Sequence, residues 1–218
     1  MEIEQIETYL NSSNSQERLK ALTELRNYDS EVAVPLLIAR VGDPEFLVRS
    51  FVAMGLGNKR SPESFEALLK LLKDDRDHNV RAEAANGLSK YGEKAVPHLV
   101  EAFRLDESWL VRRSILAPLM DMPYPEALYE ICMYGLAGDD QMVTEVSIDA
   151  LGLLAGSCKQ TEALQQLLSL VKDEWWRTRV RVALALKRFD DPQAKAALNY
   201  LKKDEHHQVV AAVLEGAV

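Results

Sequence analysis

Apolar residues along the chain recur at helical spacing, and they do so in a frame that repeats. Val52, Ala53 and Leu56 stand three, four and seven residues after Arg49. Ala84, Ala85 and Leu88 follow Arg81 in the same way, Ile115, Leu116 and Leu119 follow Arg112, and Val182, Ala183 and Leu186 follow Arg179. These offsets put an arginine and three apolar side chains on one face of a helix. An earlier copy places Arg18 before Ala21, Leu22 and Leu25. Thr144 holds the arginine slot before Ser147, Ile148 and Leu151, and Val210 holds it in a last, degenerate copy. Successive slots are 31, 32, 31, 32, 35 and 31 residues apart, so the chain is an internal repeat and is read as one before any local motif.

Each copy after the first carries an aspartate ahead of the slot: Asp43, Asp75, Asp106, Asp173 and Asp204 six residues before it, and Asp139 five before Thr144. Asp is a favoured N-cap and Pro44 suits a first helical position, so the spacing predicts a helix starting at each aspartate. Between these helices run leucine-rich stretches with helical periodicity, among them EVAVPLLIARV, SFEALLKLLK and AVPHLVEAFRL. Short links such as GNKRSP and YGEK separate them. With an opening helix near residues 2–11, the pattern gives about seven helix pairs, none of which buries its apolar face unless stacked on another. The predicted fold is all-α, a solenoid of about seven antiparallel helix pairs forming one domain over residues 1–218.

The pattern Asp-x-x-x-x-Val-Arg-x-x-Ala-Ala-x-x-Leu, joined to a Leu-rich partner helix, resembles the short HEAT-type repeat, and residues 43–119 match it best. The resemblance implies a structural ladder in which each arginine bonds the neighbouring repeat's loop. Carried over, it assigns Arg49, Arg81 and Arg112 with Asp43, Asp75 and Asp106, and a second section of Arg179 with Asp173; Thr144 interrupts the series. The ladder explains an arginine heading an apolar stripe, because a buried guanidinium persists only with carboxylate or carbonyl partners. Recurrence of the residue at fixed spacing argues against catalysis.

Outside the buried sector, each arginine-bearing helix keeps an arc at positions −3, −2, +1, +2 and +5 from the slot. In HEAT-like solenoids this arc faces the inside of the curve. It holds Phe46, Leu47, Phe51 and Met54 in the second repeat, His78 and Asn86 in the third, and Trp109, Leu110 and Arg113 in the fourth. Met142 and Glu145 follow in the fifth, then Trp176, Arg177 and Arg181 in the sixth. Aromatic, Met and Arg side chains are the types enriched at binding hot spots, so these residues are the predicted partner-binding set, gripping another protein in a concave groove. For an aromatic at a helix start, the alternative is packing on the next repeat's turn. Arg177 and Arg181 have three readings: pairing with acidic side chains, with Asp173 and Glu174 nearby, or with the propionates of a tetrapyrrole.

Composition narrows the rest. The chain carries 34 acidic and 26 basic residues in 218, a net charge of −8, which disfavours nucleic acid as a partner. No apolar run approaches a membrane span. Two cysteines, Cys132 and Cys158, make a disulfide framework improbable and a cytoplasmic location the expectation. No phosphate-binding glycine loop, zinc pattern or nucleophile elbow appears, and His78, His98, His206 and His207 form no ligand constellation. The sequence therefore predicts a non-enzymatic binding scaffold without cofactor. Repeat style, length and acidic charge are also similar to cyanobacterial bilin lyase subunits and phycobilisome-associated factors. That likeness implies the alternative of a phycobiliprotein-holding factor with a linear tetrapyrrole as ligand. The final segment VVAAVLEGAV has one charge and no polar outer face, so dimerisation through the C-terminal repeat is expected.

Overall fold

The structure is a computed structural model and describes residues 1–215. The regular structure of the described residues is helical, fourteen α-helices in chain order. They divide into two compact units, Met1–Pro118 and Leu119–Val218. The first holds α1 (Ile3–Leu10), α2 (Ser15–Glu24), α3 (Ser30–Ile38), α4 (Phe46–Asn58), α5 (Pro62–Asp74), α6 (His78–Ser89) and α7 (Val96–Leu105). The second holds α9 (Pro125–Ala137), α10 (Gln141–Leu153), α11 (Gln160–Ser169), α12 (Trp176–Leu186), α13 (Pro192–Leu201) and α14 (His207–Leu214), while α8 (Trp109–Met120) runs across the division.

Consecutive helices pair as hairpins and the hairpins stack, as the repeat predicts. In the first unit α4 packs between α2 and α6, and α5 between α3 and α7. In the second, α12 packs between α10 and α14, with α11 against α13. The core lies between these two rows. In the first unit it includes Leu22, Leu37, Val52, Leu56, Phe65, Leu68, Leu88, Leu99 and Phe103. In the second it includes Ile131, Ile148, Leu151, Leu167, Val182, Leu186 and Leu201. Helix α5 shows how local sequence sets an element. Ser61 caps it by accepting from the Ser64 N–H at 3.1 Å, Pro62 fills the first helical position, and Phe65, Leu68 and Leu72 line one buried face.

One boundary is corrected. The arginine-bearing helices start three residues after the aspartate, at Phe46, His78, Trp109 and Trp176, as does the degenerate last copy at His207, so Pro44 lies in a turn. The carboxylate of each aspartate instead accepts the backbone N–H two residues on: Glu45 at 3.0 Å, Asp77 at 2.9 Å, Ser108 at 2.9 Å, Trp175 at 2.9 Å and His206 at 2.8 Å. Such an Asx-type turn competes with helix and delays its start. In α10 the cap is Asp140, one residue after the expected Asp139, its carboxylate accepting the Val143 N–H at 3.0 Å.

Close approach of α4 and α6 depends on two glycines. A Cβ added to Gly57 would stand 2.6 Å from the Gly87 Cα, a backbone atom that gives way only if the helices part. Gly57→Ala is expected to lower unfolding free energy by about 1–3 kcal/mol. Gly42→Ala, with nothing within 4 Å, is expected to be close to neutral in the same chemical-denaturation series.

Candidate functional site

The ladder forms at Arg49, Arg81 and Arg179, with the same geometry at these three rungs. Arg49 donates through Nε and Nη2 to the two Asp75 carboxylate oxygens, at 2.7 and 2.9 Å, and through Nη1 to its own repeat's Asp43 carbonyl at 2.8 Å. Arg81 joins Asp106 at 2.6 and 3.1 Å and the Asp75 carbonyl at 2.9 Å. In the second unit, Arg179 joins Asp204 at 2.7 and 2.9 Å and the Asp173 carbonyl at 2.8 Å. Each arginine thus takes a carbonyl from its own loop and a carboxylate from the next. Two members lay outside the expected set: Arg18, which pairs with Asp43 at 2.8 Å, and Asp204. Arg112 departs from the pattern, its Nε donating to the Phe103 carbonyl at 3.2 Å and its guanidinium lying 5.7 Å from the Phe103 ring centre. Thr144 is the break, its hydroxyl donating to the carbonyls of Asp140 and Gly135 at 3.1 and 3.3 Å.

In the first unit most of the arc is on the surface, with Ser50 and Ala82 at position +1 buried. Phe46, Leu47 and Met54 are each 43% exposed and Trp109 is 44% exposed; His78 and Arg113 are exposed, and Phe51, Asn86 and Leu110 are half-buried. In the second unit Met142 is exposed. Glu145 and Arg181 are brought together: Arg181 reaches Glu145 at 3.4 Å and Asp149 at 2.8 Å. Burial pushes the Asp149 carboxyl up, an effect the Arg181 charge opposes and Glu145 reinforces. Trp176 takes the packing alternative: its ring stacks on His206, in the next repeat's turn, at 4.2 Å and 5°, and His207 stacks on His206 at 5.0 Å. The Arg177 guanidinium lies 5.4 Å from the Trp176 ring centre. Cys132 is buried and Cys158 exposed, where its thiol donates to Glu126 at 3.1 Å.

A cleft of about 550 Å³ opens above the Arg81–Asp106 rung, between the C-terminal turns of α5 and α7. Leu69, Leu72, Ala102 and Leu105 form its apolar wall, with Leu105 65% exposed; Lys73, Glu101 and Glu107 stand at its rim. The Arg81 side chain keeps 19% exposure at the floor, against 6% for Arg49 in the rung before it. The second unit has the equivalent cleft over Arg179–Asp204, about 600 Å³. There Lys172 stands over the Tyr200 ring at 5.6 Å and Lys203 adds a second cation. Sequence reasoning missed both clefts. Leu105, an exposed apolar residue ending a helix that buries Val96, Leu99 and Phe103, was the available signal.

The HEAT-repeat family matches residues 3–89, 37–120 and 130–217, and the chain belongs to it. A deoxyhypusine hydroxylase-B from Oryza sativa subsp. japonica is 34% identical over 125 residues, 56% of this chain and 41% of the relative. A deoxyhypusine hydroxylase from Drosophila pseudoobscura pseudoobscura is 31% identical over 108 residues, 48% of this chain and 36% of the relative. The chain thus spans about two-fifths of the length of these curated relatives. Among solved structures, the E. coli protein YibA superposes with a TM-score of 0.66 at 18% identity, covering 97% of this chain and 80% of that one. The CpcE–CpcF complex of phycocyanin lyase from Nostoc gives 0.55 at 17%, covering 100% and 95%. Both share the fold. The expectation of a non-enzymatic scaffold, and with it the phycobiliprotein-holding alternative, is overturned by the curated relatives, which are named as enzymes. No helix among the described residues is long and apolar enough to cross a membrane. Expected pairing through the last segment falls partly on Gly216–Val218, outside the described residues; within α14, Val209 and Val213 are buried and Leu214 is exposed.

The rungs make stability acid-sensitive. Burial opposes ionisation of Asp75, but hydrogen bonds from Arg49 and from the Asp77 N–H outweigh it and hold the carboxyl below its usual range. Arg49 does the dominant part, and Arg179 does the same for Asp204. Carboxyls depressed in the folded state contribute stability above their unfolded pKa of about 3.9 and lose it as pH falls through their lower folded values. Unfolding free energy is therefore expected to hold from neutrality to about pH 4 and to drop below it. Arg49→Ala, which leaves Asp75 buried without its partner, is expected to cost about 3–5 kcal/mol at neutral pH and to flatten the acid limb. Denaturant titrations across pH measure both.

Proposed function

We propose that the chain does the substrate-holding work of an enzyme of the kind its curated relatives are named for, taking a cationic side chain of a protein substrate into the cleft above the Arg81–Asp106 rung. The carrying observation is the cleft itself: an aliphatic wall of Leu69, Leu72, Ala102 and Leu105 beside the carboxylates of Glu101 and Glu107. An aliphatic stem ending in an ammonium group buries its methylenes against such a wall and keeps its charge at the rim, where Glu101 and Glu107 outnumber Lys73. The net charge of −8 favours encounter with a cationic partner. The name deoxyhypusine hydroxylase supports a modified amino-acid side chain as the substrate class.

Oxygen insertion at carbon needs an oxidising group, commonly a metal held by His and carboxylate ligands. Among the described residues no three His, Cys, Asp or Glu side chains converge to hold a metal ion. They do not fit such a centre, and no step is drawn through one. The work assigned to this chain is to bind the side chain, orient it and shield its stem from water.

Calorimetry with a peptide bearing deoxyhypusine, against the same peptide bearing norleucine, tests the proposal. Saturable binding of the first alone is expected, weakened about tenfold in the Glu101→Gln/Glu107→Gln double variant. Equal binding of both peptides, or an unchanged double variant, would overturn it.

A further inference from the structure

A different feature of the first unit carries a second site. At the edge away from the aspartate loops, the turn after α4 and the turn after α6 border a shallow, open recess of about 460 Å³ at the start of α5, lined by Arg60, Ser61, Pro62, Lys90, Tyr91 and Lys94. Three of the six lining residues are cations and none is acidic, in a chain whose overall charge is negative. Each cation is held in place by a neutral group. Arg60 donates to the Lys90 carbonyl at 3.1 Å, the Lys90 ammonium donates to the Asn58 Oδ1 at 2.6 Å, and the Lys94 ammonium sits 3.8 Å from the centre of the Phe65 ring. None of the three pairs with a carboxylate among the described residues, where ten ion pairs engage other groups.

The recess is also built rather than loose. Tyr91 donates its hydroxyl proton to the Ser61 carbonyl at 3.2 Å and lies 3.3 Å from the Ser61 N–H, which ties one turn to the other. Phe65, the floor beneath Lys94, is 1% exposed and packs edge-on against Tyr91 at 5.0 Å. Two acids flank the recess in sequence, Glu63 and Glu93, and neither forms an ion pair with the three cations among the described residues; Ser61 and its own backbone hold the Glu63 carboxyl below the usual range. The positive end of the 13-residue α5 adds to the field of the three cations. Like charges kept together by neutral acceptors repel one another until an anion joins them, and one guanidinium with two ammonium groups suits an oxyanion with several acceptor oxygens and two charges.

We infer that the recess formed by Arg60, Lys90 and Lys94 at the start of α5 binds a phosphate group, as the free dianion or as a small phosphomonoester. It is separate from the cleft over the Arg81–Asp106 rung and does not rest on the function proposed there.

The test is an amide NMR titration of the full chain with inorganic phosphate and, separately, glycerol phosphate, at constant ionic strength with sodium chloride as the comparison. Saturable shifts confined to residues 58–64 and 89–95 are expected with the phosphates and not with chloride. Equal affinity for the two assigns the free anion, and tighter binding of the ester assigns a phosphorylated small molecule. The Lys90→Gln/Lys94→Gln double variant, whose altered groups are exposed, is expected to keep its thermal midpoint and to bind about tenfold more weakly. Shifts that scatter over the surface or never saturate, or a double variant that binds as well as the parent, would overturn the inference.

Discussion

An aspartate carboxylate with two obligations holds the repeats in register. Its Oδ1 receives a backbone N–H from its own turn, and the pair of oxygens receives the forked guanidinium of the preceding repeat, as at Asp75 with Asp77 and Arg49. Neither obligation is separable from the other. The turn aims the carboxylate, and the arginine neutralises a charge that the stacked hairpins have taken partly out of water. A bidentate guanidinium–carboxylate pair has a fixed fork geometry, so it fixes how one hairpin sits on the next where apolar contacts alone tolerate sliding. The interior glycines then set how near neighbouring helices come: Gly57 and Gly87 bring α4 and α6 to backbone contact.

Because the rung occupies one edge of the stack, the two edges of the first unit differ chemically. At the aspartate edge the charges are mostly satisfied, and what remains is the space above a rung, whose character is set by the last turn of the leucine-rich helix. Leu105 leaves that space apolar in the first unit, whereas Lys172 and Tyr200 occupy it in the second. At the other edge the cations Arg60, Lys90 and Lys94 lean on carbonyl, amide and ring acceptors and keep their charge for solvent or ligand. The same repeat thus yields an apolar cleft rimmed by two glutamates and a lysine, and a basic recess, without any change of fold.

The repeat, the helical class and the identity of most ladder residues were legible in the sequence because a period near 32 and a fixed Asp-to-Arg offset survive translation into structure directly. The helix starts were not. Asp43 followed by Pro44 looks like a cap and a first helical residue, and only the i to i+2 hydrogen bond distinguishes an Asx turn from an N-cap. Partner choice along the ladder was half legible. Spacing gives the six-residue return to the own-loop carbonyl, but the carboxylate comes from the following repeat, which is why Asp204 and Arg18 entered late. On the arc, exposure of Phe46, Leu47, Met54 and Trp109 follows from helical phase, while the stacking of Trp176 on His206 depends on a turn in another repeat. The clefts were invisible because their walls combine residues that no single helical pattern groups. Enzyme kinship could not be read at all, since a repeat pattern reports packing and leaves chemistry unstated.

The Asx turn has a further consequence for chain length. In five repeats two residues separate the aspartate from the helix, namely 44–45, 76–77, 107–108, 174–175 and 205–206, because the carboxylate must meet an N–H at a set reach. The opposite turns obey no such limit: 59–61 is short, and 90–95 is twice as long. Between the aspartate and its helix the length is therefore fixed, and foreign loops, tags or affinity epitopes are best grafted on the opposite turns or ahead of the aspartate, where spacing already varies: 39–42 precede Asp43, while α5 runs directly into Asp75.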